Sequence, residues 1–186
     1  MRVLLHICCG PCAIMPVATL REEGAEIRGL FYNPNIMPYT ENVRRRETLE
    51  AWAARQELPL IVQDEYEPEA WLRNVAWREN QRCAPCLAQR LDRAAAVAKR
   101  GGYDYYSTTL LYSVRQKHEL IKELGQAAGK KRGVKFLYRD WRPYWRQGIE
   151  RSQKQEMYRQ QYCGCIFSER DRYLTKPSLP RPELTA

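Results

Sequence analysis

Seven cysteines stand in three short groups along a chain of 186 residues, and none lies outside a group. Cys8, Cys9 and Cys12 form the first, Cys83 and Cys86 the second, Cys163 and Cys165 the third. Thiols used only for packing scatter through apolar segments. Thiols used as ligands gather at short spacing in loops, because several sulfurs must reach one ion or cluster. The pattern predicts a metalloprotein with its metal at the centre of the chemistry. Read singly, the groups are ambiguous. Cys83-x-x-Cys86 fits half a zinc site, a redox disulfide or half an iron–sulfur site, and any one cysteine fits a buried packing role. The count is more telling. A tetrahedral zinc ion takes four ligands and so does a [4Fe–4S] cluster, so a second metal is the natural reading of seven. Cys8 and Cys9 are neighbours where strand gives way to loop, and each is expected to face a different centre.

An odd cysteine count fits a disulfide framework poorly, and reduced thiols place the chain in the cytoplasm. The apolar run at the N-terminus is too short for a signal peptide or a membrane span, and no other long apolar run exists. The net charge is +9, and from Lys130 to Arg172 twelve Lys or Arg stand against five Asp or Glu. That basic region is either a solvated face or a surface for an anionic partner, nucleic acid first.

Hydrophobic patterning predicts strands at 2–7, 26–32, 58–62, 103–109 and 134–138. It predicts helices at 12–23, 39–56, 68–76, 86–100, 115–128 and 148–160. Glycines stop two of them, at Gly101-Gly102 and Gly129. The alternation defines an α/β class: one compact α/β/α domain over 1–175 with a mostly parallel sheet, and a loose tail over 176–186. In such sheets ligands bind beyond the carboxyl ends of strands. The first cysteine group, the 33–38 loop, Thr108-Thr109 and the segment near Asp140 are expected to meet at that edge.

Around the sulfurs, His6 reads as a satisfied histidine at a strand end, or as a partner of a ligand. Asn33 and Asn35 offer amides that can read a polar ligand, though asparagine is also an ordinary turn residue. Arg139, Trp141, Arg142, Tyr144, Trp145 and Arg146 alternate bases with aromatics, a pattern suited to single-stranded RNA and equally to a core edge. Asp140 is the one acid there, read as a metal ligand, a proton donor or the ion-pair partner of a neighbouring arginine.

Together these segments resemble the QueH family of epoxyqueuosine reductases. The resemblance runs from about His6 to Ser168. It rests on His-Ile-Cys-Cys-Gly-Pro-Cys at 6–12, Tyr-Asn-Pro-Asn-Ile at 32–36, Arg-Cys-Ala-Pro-Cys at 82–86, Ser-Thr-Thr-Leu-Leu at 107–111, Arg-Asp-Trp-Arg at 139–142 and Tyr-Arg-Gln-Gln-Tyr-Cys-Gly-Cys at 158–165. Asn42, Val114 and Trp141 depart from the family pattern, and none is a sulfur residue. The resemblance implies a HUP-like fold and reduction of the epoxide of epoxyqueuosine at a tRNA wobble position, the last step to queuosine. It also implies a [4Fe–4S] cluster beside a single metal ion, expected to be iron, and an external electron donor. Cys83 and Cys86 are expected to hold the cluster, Cys8, Cys9, Cys12, Cys163 and Cys165 to complete both ligand sets, and Asp140 or a bound water to supply protons. The rival readings are a zinc-stabilised RNA-binding module and a thiol–disulfide oxidoreductase.

Overall fold

The computed structural model describes residues 1–174, so the tail expected at 176–186 and the domain end expected at 175 lie outside the described residues. Five strands form one sheet: β1 (Arg2–His6), β2 (Glu26–Phe31), β3 (Leu60–Val62), β4 (Tyr105–Thr108) and β5 (Lys135–Phe136). Their order is β3-β2-β1-β4-β5, and every neighbouring pair is parallel. Among the described residues seven α-helices accompany them: α1 (Gly10–Glu22), α2 (Tyr39–Arg55), α3 (Pro68–Val75), α4 (Cys83–Arg100), α5 (His118–Arg132), α6 (Trp145–Lys154) and α7 (Ile166–Tyr173). The expected α/β class and parallel sheet are therefore present.

The central strand explains the layering. Val3, Leu4, Leu5 and His6 are all fully buried, as a parallel strand covered on both faces requires. α1 carries Ala13, Ile14, Met15, Val17 and Leu20 in the core and packs between α2 and α6. The expected stripe of α4 (Leu87, Leu91, Ala94, Ala98) is buried, and α4 packs on α5, β1 and β4.

The chain leaves β1 toward β2 on one side and later returns to place β4 on the other. The order of strands thus reverses between β1 and β4, and a crevice opens beyond their carboxyl ends. Cys8, Cys9 and the start of α1 follow β1 there, and Thr108 and Thr109 follow β4.

Several boundaries differ from expectation. α1 starts at Gly10, with Pro11 in its first turn where a missing N–H costs nothing, so Cys12 sits on the helix. α5 passes Gly129 and stops at Gly133, which takes φ +70. Gly129 is needed for closeness instead: a Cβ there would lie 2.6 Å from the Val134 carbonyl oxygen. α6 ends at Lys154, and the chain that was expected to continue it returns to the crevice. The helix Ile166–Tyr173 had no counterpart in the patterning.

Candidate metal centre

The Cys8, Cys9 and Cys12 sulfurs all lie within 4.8 Å of one another, the one such tight set of three ligand atoms among the described residues. Local geometry brings this about. Cys9 is the extended residue capping α1, and Cys12 follows in the first turn. The Cys8 N–H donates to Thr109 Oγ1 at 3.2 Å, and that hydroxyl lies 3.4 Å from Cys8 Sγ. Gln160 Nε2 donates to Cys9 Sγ at 2.9 Å and to Cys12 Sγ at 3.4 Å. Hydrogen bonds from Cys12 and Cys9 hold the Cys8 thiol well below its usual range. Burial raises Cys9, and the Cys8 sulfur raises Cys12.

The other four thiols line a small adjoining cavity with Asn35 and Arg90. Cys83 and Cys86 come from the first turn of α4, whose Leu87 and Leu91 seat it on the core. Cys163 and Cys165 arrive from the far end of the chain and are tied down at several points. Arg45 Nη1 donates to the Cys163 carbonyl at 2.9 Å and Nη2 to the Tyr162 carbonyl at 3.0 Å. Met37 N–H donates to the Gly164 carbonyl at 2.8 Å, and Tyr162 Oη to the Met37 carbonyl at 2.7 Å. Gly164 has φ +146, and a Cβ there would lie 3.0 Å from Ile36, so glycine is required between the two cysteines. Gln116 Nε2 reaches Cys163 Sγ at 3.2 Å.

Two buried guanidiniums stand among the sulfurs. Arg45, 1% exposed, also grips Glu41 Oε1 at 2.6 Å. Arg90, 2% exposed, reaches Cys86 Sγ at 3.4 Å. Burial opposes both charges, yet the surrounding sulfurs, and Glu41 for Arg45, hold both above the ordinary arginine range. Burial pushes the Cys86 thiol up to about 11.

Several expected site residues have other roles. His6 is satisfied: Nε2 donates to the Tyr32 carbonyl at 3.1 Å and Nδ1 accepts from Thr108 Oγ1 at 2.8 Å. Burial, aided by the Arg90 charge, lowers its pKa to about 4, so the ring is neutral. Asn33 pins its loop to β1 through the Ile7 carbonyl at 3.0 Å. Asn35 is buried at the cavity with both amide ends unpartnered. Asp140 is not brought to the thiols. Its neighbours are fixed to the far end of α1, Arg139 on Glu23 at 3.0 Å and Trp141 Nε1 on Thr19 Oγ1 at 2.8 Å. That end is on the order of 15 Å of helix rise from the first turn. Arg142 grips both Asp140 oxygens and lowers that carboxyl to about 2. The structure thus shows Asp140 as the ion-pair partner of Arg142, one of its three expected readings. Trp141, 2% exposed, is core and offers no face to a base. Trp145 is half-buried against Tyr112, with ring centroids 5.1 Å apart, while Tyr144 and Arg146 are exposed.

Sequence reasoning missed Arg45, Arg90, Gln116 and Gln160. Arg90 carried a local signal, standing four residues after Cys86 on one helix face, and Gln160 lay inside the motif that ends in Cys163 and Cys165.

Seven thiols and two buried cations at a sheet switch point fit a metal centre by the chemistry of the donor set, since thiolates prefer such ions. Fold and site together define an α/β protein with a parallel five-stranded sheet and a thiol-rich centre. The sequence model of the family described as "Epoxyqueuosine reductase QueH" matches residues 3–171. Curated relatives of that name include one from Dehalococcoides mccartyi, 35% identical over 96% of this chain and 98% of the relative. Another, from Thermotoga maritima, is 35% identical over 89% of each chain, and one from Acinetobacter baylyi is 33% identical over 91% of this chain and 81% of its own. This chain belongs to the QueH family of epoxyqueuosine reductases, an oxidoreductase family. Among solved structures, a predicted subunit of a tRNA methyltransferase from Methanocaldococcus jannaschii aligns with TM-score 0.55 at 10% identity, covering 82% of this chain and 74% of that one. A deacetylase of teicoplanin biosynthesis aligns with TM-score 0.50 at 12% identity, covering 73% and 65%. These two share the fold. No described helix is long and apolar enough to cross a membrane.

Proposed function

We propose that this protein is the cytoplasmic enzyme that reduces epoxyqueuosine at the wobble position of tRNA to queuosine, with a [4Fe–4S] cluster and one adjacent iron ion. The observation that carries the reading is the convergence of all three cysteine groups on one crevice at the end of β1. The triplet Cys8, Cys9 and Cys12 is tight enough to share one ion. Cys83, Cys86, Cys163 and Cys165 line the neighbouring cavity and suit the larger cluster. When bound, the metals supply single-electron delivery and Lewis acidity toward an oxygen.

The reaction takes two electrons from an external donor and two protons, turns the epoxide into an alkene and releases one water. The chain's own residues prepare the site. Thr109, Gln160 and Gln116 fix the orientation of sulfurs, and Arg45 holds the Cys163 turn in place. Neutral His6 braces the ends of β1 and β4. A wobble base must leave its stack to enter the crevice. Exposed Arg146 and Tyr144, with Arg142, offer phosphate and stacking contacts on the basic surface.

Nucleoside mass spectrometry of tRNA carrying epoxyqueuosine, incubated anaerobically with holoenzyme and a chemical reductant, tests the reading. Queuosine is expected to accumulate in proportion to iron content. Full turnover by a colourless zinc-only preparation would overturn it. So would a colourless protein that binds tRNA without turnover, or one that only exchanges thiols. Cys→Ala variants test the division of ligands: loss of the cluster with Cys8 or Cys9 replaced would redraw it.

A further inference from the structure

We infer that Arg90 is the buried counter-cation of the metal–thiolate centre and that it sets the reduction potential of that centre. The inference rests on the proposal that the thiols hold redox-active metal, whichever way the seven divide.

A guanidinium stays charged in a protein. Burying one without an anion is strongly unfavourable. Arg45 shows the usual solution, with Glu41 at 2.6 Å and two carbonyls in its grip. Arg90 is as deeply buried and has no such acid: no carboxylate lies within ion-pair distance of it among the described residues. Its recorded bonds are to the Cys86 carbonyl and the Cys86 sulfur, both at 3.4 Å. The groups that favour its charge are all sulfurs, Cys86, Cys163 and Cys8, drawn from all three cysteine groups. Metal binding removes thiol protons, and the thiolates then supply the missing negative charge.

The rest of the cavity agrees. Asn35 and Trp71 line it, and Asn35 Nδ2 and Trp71 Nε1 are buried without partners. Asn35 Nδ2 lies 3.2 Å from where a Cβ of Gly164 would stand, between Cys163 and Cys165. Unpaired N–H donors beside a cation with no carboxylate partner make a wall suited to an anion with many sulfur acceptors. Reduction adds a negative charge, so a fixed cation at this position favours the reduced form. Hydrogen bonding and charge around the sulfurs are recognised controls of cluster potential.

The test is an anaerobic redox titration of the metal-loaded full chain followed by electron paramagnetic resonance, in wild type, Arg90→Gln, Arg90→Lys and Arg100→Gln. Arg90→Gln is expected to lower the ratio of reduced to oxidised centre at a fixed potential at least tenfold, about 59 mV for one electron. Arg90→Lys keeps the charge and is expected to recover most of the shift. Arg100→Gln, at the exposed end of α4, is expected to leave the potential unmoved. An Arg90→Gln potential equal to wild type overturns the inference. If Arg90→Gln takes up no metal, thermal unfolding of the metal-free proteins decides. The variant is then expected to match or exceed wild type in the metal-free form, because the uncompensated cation is gone. A metal-free variant less stable than wild type overturns the inference. A wild-type protein with no redox-active signal would instead overturn the two-centre reading itself.

Discussion

Replacing Arg45 by methionine should be among the most damaging single changes outside the cysteines. Its Nε donates to Glu41 Oε1 at 2.6 Å, and its two terminal nitrogens hold the Cys163 and Tyr162 carbonyls at 2.9 and 3.0 Å. Both partners of the ion pair are buried, at 1% and 8% exposure. Methionine fills much of the space but leaves Glu41 charged and buried, with Tyr158 Oη as its remaining donor. Breaking a buried pair from one side costs about 3–5 kcal/mol. At roughly 2–4 °C per kcal/mol for a chain of this size, the melting point should fall by about 6–20 °C. The assay is denaturant unfolding of the metal-free protein, in a double-mutant cycle with Glu41→Gln. The double variant should recover part of the loss, because no carboxylate is then stranded. Metal uptake should fall as well, since the Cys163 turn loses its clamp. A cost of Arg45→Met below about 1 kcal/mol, the range of exposed pairs, would refute the reasoning.

Asp140→Asn should leave turnover and its dependence on neutral pH unchanged, measured as initial rate against pH. The Arg142 guanidinium lowers the folded pKa of Asp140 to about 2. The pair's stabilisation is therefore complete above the ordinary carboxylate range and lost only as pH falls through it toward 2, and solvent screening keeps it small. Trp141→Phe should destabilise by about 1 kcal/mol through the lost indole bond to Thr19 without changing tRNA affinity in a filter-binding assay. Arg146→Ala should weaken tRNA binding, more at low salt, and reduce the salt slope by about one. Gly129→Ala should destabilise by about 1–3 kcal/mol in thermal melts, because the Val134 carbonyl stands where the Cβ must go. Helix propensity alone would give the opposite sign.

The fold was legible where local pattern and burial agree. The apolar Val3–Leu5 run of β1, the Leu87–Leu91–Ala94–Ala98 stripe and the glycines after α4 all read correctly. Errors arose where a tertiary demand outweighed local chemistry. Gly129 looks like a stop but is a point of close approach to the β5 edge. The chain after Lys154 is as polar as a helix surface, yet it is drawn out to bring Gln160 and the last cysteines to the crevice. The thiols were visible as a set because their spacing is short within each group. Their arrangement in space became visible only in three dimensions, since Cys163 and Cys165 reach the site through contacts with Met37 and Arg45 more than 100 residues away. Of the three sequence readings of Asp140, the pairing with a neighbouring arginine is the one visible in the geometry, with the partner two residues on.

The measurement that bears most directly on the central claim is Mössbauer spectroscopy of anaerobically prepared, ⁵⁷Fe-enriched protein, quantified against turnover. The account predicts two iron environments, a four-iron cluster and a single thiolate-bound ion, with the single-ion signal lost in Cys12→Ala and the cluster signal retained. A fully active protein showing one environment, or no iron at all, would contradict it.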